Sequence, residues 1–171
     1  YDYYRDDTVI REAIKSGELD FRTESQAKAW ALDYDVPAVR AGWLRKEEIR
    51  HSNPTGMQAF VYNTRRAIFK DRKVRQALAY AFDFEWTNKN LFFSQYVRTR
   101  SYFSNSELAA TGLPGTAELA ILEHYRGRVP DEVFSAVYEP PSTDGSGWPR
   151  ENLRRAFALL VVFAFAATGQ R

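Results

Sequence analysis

Apolar positions recur three and four residues apart in several stretches of the chain. The clearest is Val74, Ala77, Leu78, Ala81 and Phe82, a spacing that predicts one buried face of a helix. Arg72, Lys73, Arg75 and Gln76 fall on its other side. Asp71 stands at the N-cap position, where its carboxylate can accept an otherwise unpaired N–H of the first turn. Nearer the start, Asp7-Thr8 opens a helix with an inward face of Ile10, Ala13 and Ile14, and Ser16-Gly17 ends it. Thr23 and Gln26 have capping-box spacing ahead of a stripe at Ala27, Trp30, Ala31 and Tyr34. Pro37 suits the first turn of a short helix and Gly42 its end. Ser104 to Glu107 again has capping-box spacing, stopped by Gly112-Leu113-Pro114-Gly115. Residues 117–125 predict a helix with Leu119, Ile121 and Leu122 apolar. Leu153, Ala156, Phe157, Leu160 and Val161 predict another.

Two stretches predict strands. Gln58 to Tyr62, rich in aromatic and β-branched residues, places Gln58, Phe60 and Tyr62 on one side by its period of two. Leu19 to Phe21 is a shorter one. A basic connection, Asn63 to Phe69, leads from the first strand into the central helix. Residues 44–51 suit a solvated strand or an exposed helix equally, and residues 88–96 extend the central helical region or form a second short helix. Ser52 to Gly56 and the Pro/Gly/Ser-rich Glu139 to Arg150 are turn and loop compositions. Residues 156–168 carry no charge. That run falls short of the roughly 20 apolar residues that span a bilayer.

Length and composition narrow the picture in several ways. The 171 residues set one ordinary domain as the starting expectation. Charge is balanced, 24 basic against 22 acidic side chains, which does not favour nucleic-acid binding. Cysteine is absent, so disulfides and thiolate metal sites are excluded. Aromatics reach 15% of residues, which suits a large core or a groove for an extended ligand. Tyr1 opens the chain, Met57 is its single methionine, and no basic segment followed by an apolar run marks a leader.

The central stretch also carries a resemblance. Asn63-Thr64-Arg65-Arg66, then Phe69, then Asp71-Arg72-Lys73-Val74-Arg75-Gln76-Ala77-Leu78, then Ala81-Phe82-Asp83 occur in that order. This pattern resembles the extracellular solute-binding proteins of peptide ABC transporters, with Ile68 where that family usually has proline. Gly56-Met57-Gln58, Phe84-Glu85-Trp86 and Ser106-Glu107-Leu108-Ala109 are similar to the branch associated with oligopeptide and microcin C uptake. The likeness runs from about Tyr3 to Leu160.

The resemblance implies an α/β fold, the two-lobed type II periplasmic binding protein, of which this chain is an internal fragment. Residues 1–55 would be the C-terminal part of the first lobe. Residues 56–171 would supply the hinge strand and the N-terminal part of the second, with an atypical apolar tail at 161–171 that suggests a truncated or frame-shifted end. It also implies a periplasmic monomer that binds an oligopeptide, meets an ABC permease, performs no catalysis and needs no cofactor or metal. Met57, Gln58, Phe60 and Tyr62 would touch the peptide from the cleft floor. Filling the core beneath the hinge is the alternative role for these side chains. Arg65 would clamp a ligand carboxylate, unless it and Arg66 form a solvated basic turn.

Other chemistry finds less support. Asp83 and Glu85 among aromatics have the composition of a glycosidase pair, and a carbohydrate-active enzyme is the alternative function. Side chains two apart on a helix diverge, which argues against it. His51 and His124 each lack a second ligand at metal spacing. No phosphate-binding loop, nucleophile elbow or dinucleotide fingerprint occurs. The basic and aromatic run from Asn88 to Phe103 could stack single-stranded nucleic acid. It reads more simply as a buried aromatic layer with an exposed basic edge.

Overall fold

The protein is described from a computed structural model, which covers the backbone of residues 1–168 and the side chains of residues 1–164. Two units emerge. One holds Tyr1–Arg50 with Asn88–Tyr96; the other holds His51–Thr87 and the residues from Val97 onward.

In the first unit, α1 (Asp7–Ser16) begins one residue away from the expected cap. Asp6, in extended conformation, accepts the N–H groups of Thr8 and Val9. Gly17 closes the helix at φ 81°, the left-handed geometry in which a side chain would be strained. Ala13 and Ile14 are buried, as the stripe requires. The capping-box reading of Thr23 and Gln26 fails. Glu24, not Thr23, accepts the Gln26 N–H, and α2 (Ala27–Leu32) has no side-chain cap. Glu24 is drawn there by a buried network. Its carboxylate receives Arg22 at 3.3 Å and the Tyr34 hydroxyl at 3.0 Å, while Arg22 also reaches Asp7. α3 (Pro37–Arg40) takes Pro37 in its first turn and is followed by Gly42 at φ 81°.

In the second unit, α4 (Ala67–Lys70) leads into α5 (Arg72–Ala81). Asp71 caps α5 as expected, accepting the Lys73 N–H at 2.7 Å. Arg75 does not meet an acid; it folds back to donate to the carbonyls of Phe69 and Lys70 and joins the two helices. Arg72 pairs with Glu132. Val74 and Ala77 are the buried residues of α5, whereas Leu78 is exposed and Phe82 lies past the helix end. The principal packing partner of α5 is α9 (Arg150–Thr168), which buries Asn152 and Ala156. Small residues on both helices permit close approach of the two backbones.

α6 (Phe84–Leu91) follows α5 after a two-residue break. α7 (Thr116–Leu122) runs into a 3₁₀ turn at Glu123–Tyr125, and α8 (Glu132–Ser135) is a single turn. Glu118 accepts the Gly115 N–H at the start of α7.

The expected strands do not form. Among the described residues the structure has no β-strand, only an isolated bridge between Arg126 and Val129. Residues 56–62 are irregular and donate and accept no backbone hydrogen bond there. A strand is stable only against a neighbour, and alternation by itself supplies none. Leu19 to Phe21 is likewise irregular, with Phe21 exposed. The Ser104 to Glu107 stretch is turns, not a helix start. Asn105, at φ 63°, donates its side-chain amide to the carbonyls of His51 and Asn53. Residues 45–50 are irregular and exposed. No helix among the described residues is long and apolar enough to cross a membrane. Residues 169–171 of the atypical tail lie outside the described residues.

Candidate functional site

The second unit carries a connected aromatic row. The irregular segment 56–62 brings the Phe60 ring edge-on to Phe82, with centroids 6.0 Å apart at 81°. Phe82 in turn meets Phe84 at 6.5 Å and 60°, across the break between α5 and α6. Tyr62 lies on Phe69 of α4 at 5.3 Å. Edge-to-face pairs of this kind add roughly 0.5–1.5 kcal/mol each beyond area burial. Phe60 nevertheless remains 76% exposed, so its ring is open to a partner.

The remaining site residues expected from the sequence do not join this row. Met57 and Gln58 are exposed and make no ring contact or hydrogen bond among the described residues. Arg65 is exposed and turns back to Asn63, whose side-chain oxygen accepts its backbone N–H at 3.1 Å and its Nε at 3.4 Å. Arg66 is exposed at the start of α4.

The basic edge of the row differs from expectation. Arg98 is half-buried, its guanidinium carbon 5.2 Å from the centroid of Phe82 and 5.2 Å from that of Phe84. The alternation of basic and aromatic residues from 88 to 103 hinted at such contacts, but nothing local identified which rings Arg98 would cover.

Asp83 and Glu85 converge, contrary to the helical-spacing argument. Asp83 sits in the break before α6, so it is a capping residue and not a helix-interior one. Its Oδ1 accepts the Trp86 N–H, and its Oδ2 accepts the Gly147 N–H at 3.0 Å. The Thr143 hydroxyl contacts both Asp83 Oδ1 and Glu85 Oε2, and the Thr143 N–H donates to Glu85. One hydroxyl hydrogen serves one carboxylate at a time. Both acids are thereby engaged by the loop 143–147, which they tie to the start of α6. Asp144 on that loop is held below the usual carboxylate range by the Ser146 hydroxyl and N–H.

The loop is not the free turn its Gly-Ser-Gly composition suggested. A Cβ on Gly147 would lie 2.8 Å from Trp86 Nε1, at a φ of 81°. Gly147→Ala is expected to cost about 1–2 kcal/mol from the left-handed backbone alone. Thermal unfolding followed by tryptophan fluorescence checks this, and an unchanged midpoint refutes the close packing.

Among the described residues no group of three acids or histidines gathers to hold an ion. His51 Nδ1 accepts the Asn53 N–H, and His124 Nδ1 lies against the Ala120 carbonyl.

A family model for bacterial extracellular solute-binding proteins, family 5 (middle region), matches residues 1–140. Relatives extend the match through the rest of the chain. The YejA protein of Escherichia coli is 41% identical over 171 residues, covering 100% of this chain and 28% of its own length. A probable peptide-binding protein YejA of Agrobacterium fabrum is 42% identical over 173 residues, with the same coverage. A peptidoglycan-binding protein YepA of Agrobacterium fabrum is 40% identical over 162 residues, covering 90% of this chain and 26% of its own length. The chain thus spans little more than a quarter of the length of these relatives. With four-fifths of its residues inside the family match, the chain belongs to the bacterial extracellular solute-binding proteins, family 5.

Proposed function

We propose that the chain is part of the substrate-binding component of an ABC transporter that imports oligopeptides or peptide-like solutes. In the parent protein an α/β, two-lobed type II fold would close around the ligand and present it to the permease from the periplasm. Ligand would shift the hinge toward closure by binding the closed state better. The boundary would fall at 55/56, with the first lobe ending there and the second beginning at the hinge segment.

The observation that carries the reading is the open aromatic row, in a chain of this family. Exposed rings pack over apolar peptide atoms without demanding one sequence. Phe60 and Tyr62 would supply that surface. Gln58 would bond to peptide backbone, Met57 would fill irregular gaps, and Arg65 would meet a charged group. Names of relatives that speak of peptide and of peptidoglycan are compatible with one another, because peptidoglycan also carries peptide. Binding, not hydrolysis, is the activity proposed; the engagement of Asp83 and Glu85 by Thr143 and Gly147 leaves them tied to the chain's own donors.

Calorimetric titration with defined di- to pentapeptides tests this. The 171-residue chain is expected to bind weakly, since closure needs two complete lobes. Phe60→Ala should weaken binding about tenfold, the effect of truncating one aromatic contact. Nanomolar affinity of this chain alone contradicts the closure mechanism. Hydrolysis of a glycan panel, abolished by Asp83→Asn, replaces the reading with the carbohydrate-active one.

A further inference from the structure

We infer that Arg98 is an anchor for the carboxylate of the bound peptide, at the inner end of the aromatic row. The inference rests on the peptide-binding reading and adds a specificity-determining residue to it.

Three observations converge on Arg98. First, its guanidinium covers two rings, Phe82 and Phe84, at 5.2 Å each. The planar edge of the guanidinium carries its N–H donors, a fork that matches a carboxylate. Second, that edge has no partner: among the described residues Arg98 makes no hydrogen bond and no ion pair. Its neighbour Arg100 is paired to Glu139 at 2.8 Å, Arg72 to Glu132, and the half-buried Arg75 to two carbonyls. Third, Phe82 is the ring against which the exposed Phe60 rests, so the charge and the open aromatic surface share one platform.

A ligand carboxylate would give this guanidinium, which has no acid of its own, a pair of charge-assisted hydrogen bonds. The flanking rings lower the local dielectric and strengthen such a contact relative to one in water. A bidentate carboxylate at Arg98 would leave the rest of the ligand to lie along Phe82 and Phe60. The fork accepts a carboxylate or a phosphate alike, and the terminal carboxylate is the anion that a peptide supplies.

The test is a side-chain NMR titration of the 171-residue chain with the tripeptide Ala-Phe-Ala, as the free acid and as its C-terminal amide. The free acid is expected to bind at least fivefold more tightly and to shift the Nε–H resonance assigned to Arg98. Arg98→Gln should erase the difference between acid and amide while leaving amide binding in place. Equal binding of acid and amide by the unmodified chain overturns the anchor but leaves the peptide reading standing. Absence of binding by either form at millimolar peptide overturns both. A preference for inorganic phosphate over the free acid overturns the carboxylate assignment. Amide proton spectra of the variant report whether its fold is retained, and Arg98→Lys, which keeps the charge without the fork, should recover less than half of the acid preference.

Discussion

Val74→Asp unfolds the α5/α9 pair. Val74 is 4% exposed and Ala77 is 1% exposed; they are the buried residues of α5, whose principal packing partner is α9. Asn152 of α9 is the buried polar side chain among the described residues, and its amide already donates to the Ser142 carbonyl. A carboxylate at this buried position must either bury a charge or bind a proton at a cost. About 4 kcal/mol of destabilisation is expected, a large part of a small domain's whole stability. Hydrogen exchange should show α5 and α9 losing protection together. Lys73→Asp is the control. Its side chain is exposed in the first turn of α5, where a negative charge is favourable, so it should change stability by less than about 0.5 kcal/mol. If both variants behave alike, the α5/α9 seam is not the core of this unit.

The second large effect belongs to Glu24. Its side chain is 3% exposed beside Arg22 at 8%. Burial by itself raises the Glu24 pKa, but the Gln26 N–H, the Tyr34 hydroxyl and the Arg22 charge together outweigh that and hold it below its ordinary value of 4.5. A folded-state pKa below the unfolded one stabilises above the unfolded value, and the contribution is lost as pH falls through the folded value. The first unit should therefore weaken in acid, below about pH 4.5. Glu24→Ala removes the partner and leaves the Arg22 charge and the Tyr34 hydroxyl buried without it. Loss of about 3–5 kcal/mol is expected at neutral pH. Glu24→Gln retains an acceptor, should cost less, and should flatten the acid dependence. Denaturant midpoints at pH 3, 5 and 7 measure all three; a pH-independent difference between Glu24 and Gln refutes the carboxylate's role.

Local signals were legible where the physics is local. Asp71 caps α5, Gly17 ends α1 in a left-handed turn, and Pro37 starts α3, because each needs only its neighbours in sequence. Signals that depend on distant partners misled. The alternation at 58–62 formed no ladder, and the Ser104 to Glu107 spacing formed no cap, since Asn105 is held instead by carbonyls more than fifty residues away. Of the residues expected at the site, Phe60 and Tyr62 stand in ring contacts, while Met57, Gln58 and Arg65 do not. Arg98 escaped because its rings, Phe82 and Phe84, are adjacent to one another only through the kink between two helices.

The tie between Asp83, Glu85 and the loop at 143–147 also bears on how fast this unit reaches its native state. Its hydrogen bonds join residues 58 to 64 apart in the chain. Helical proteins usually fold quickly because their contacts are local. Here the last closure must wait for a long intervening segment to be corralled, and that search raises the entropic barrier. Stopped-flow refolding should accordingly resolve rapid helix formation from a slower phase reported by Trp86, and shortening the path between residues 100 and 139 should accelerate only the latter.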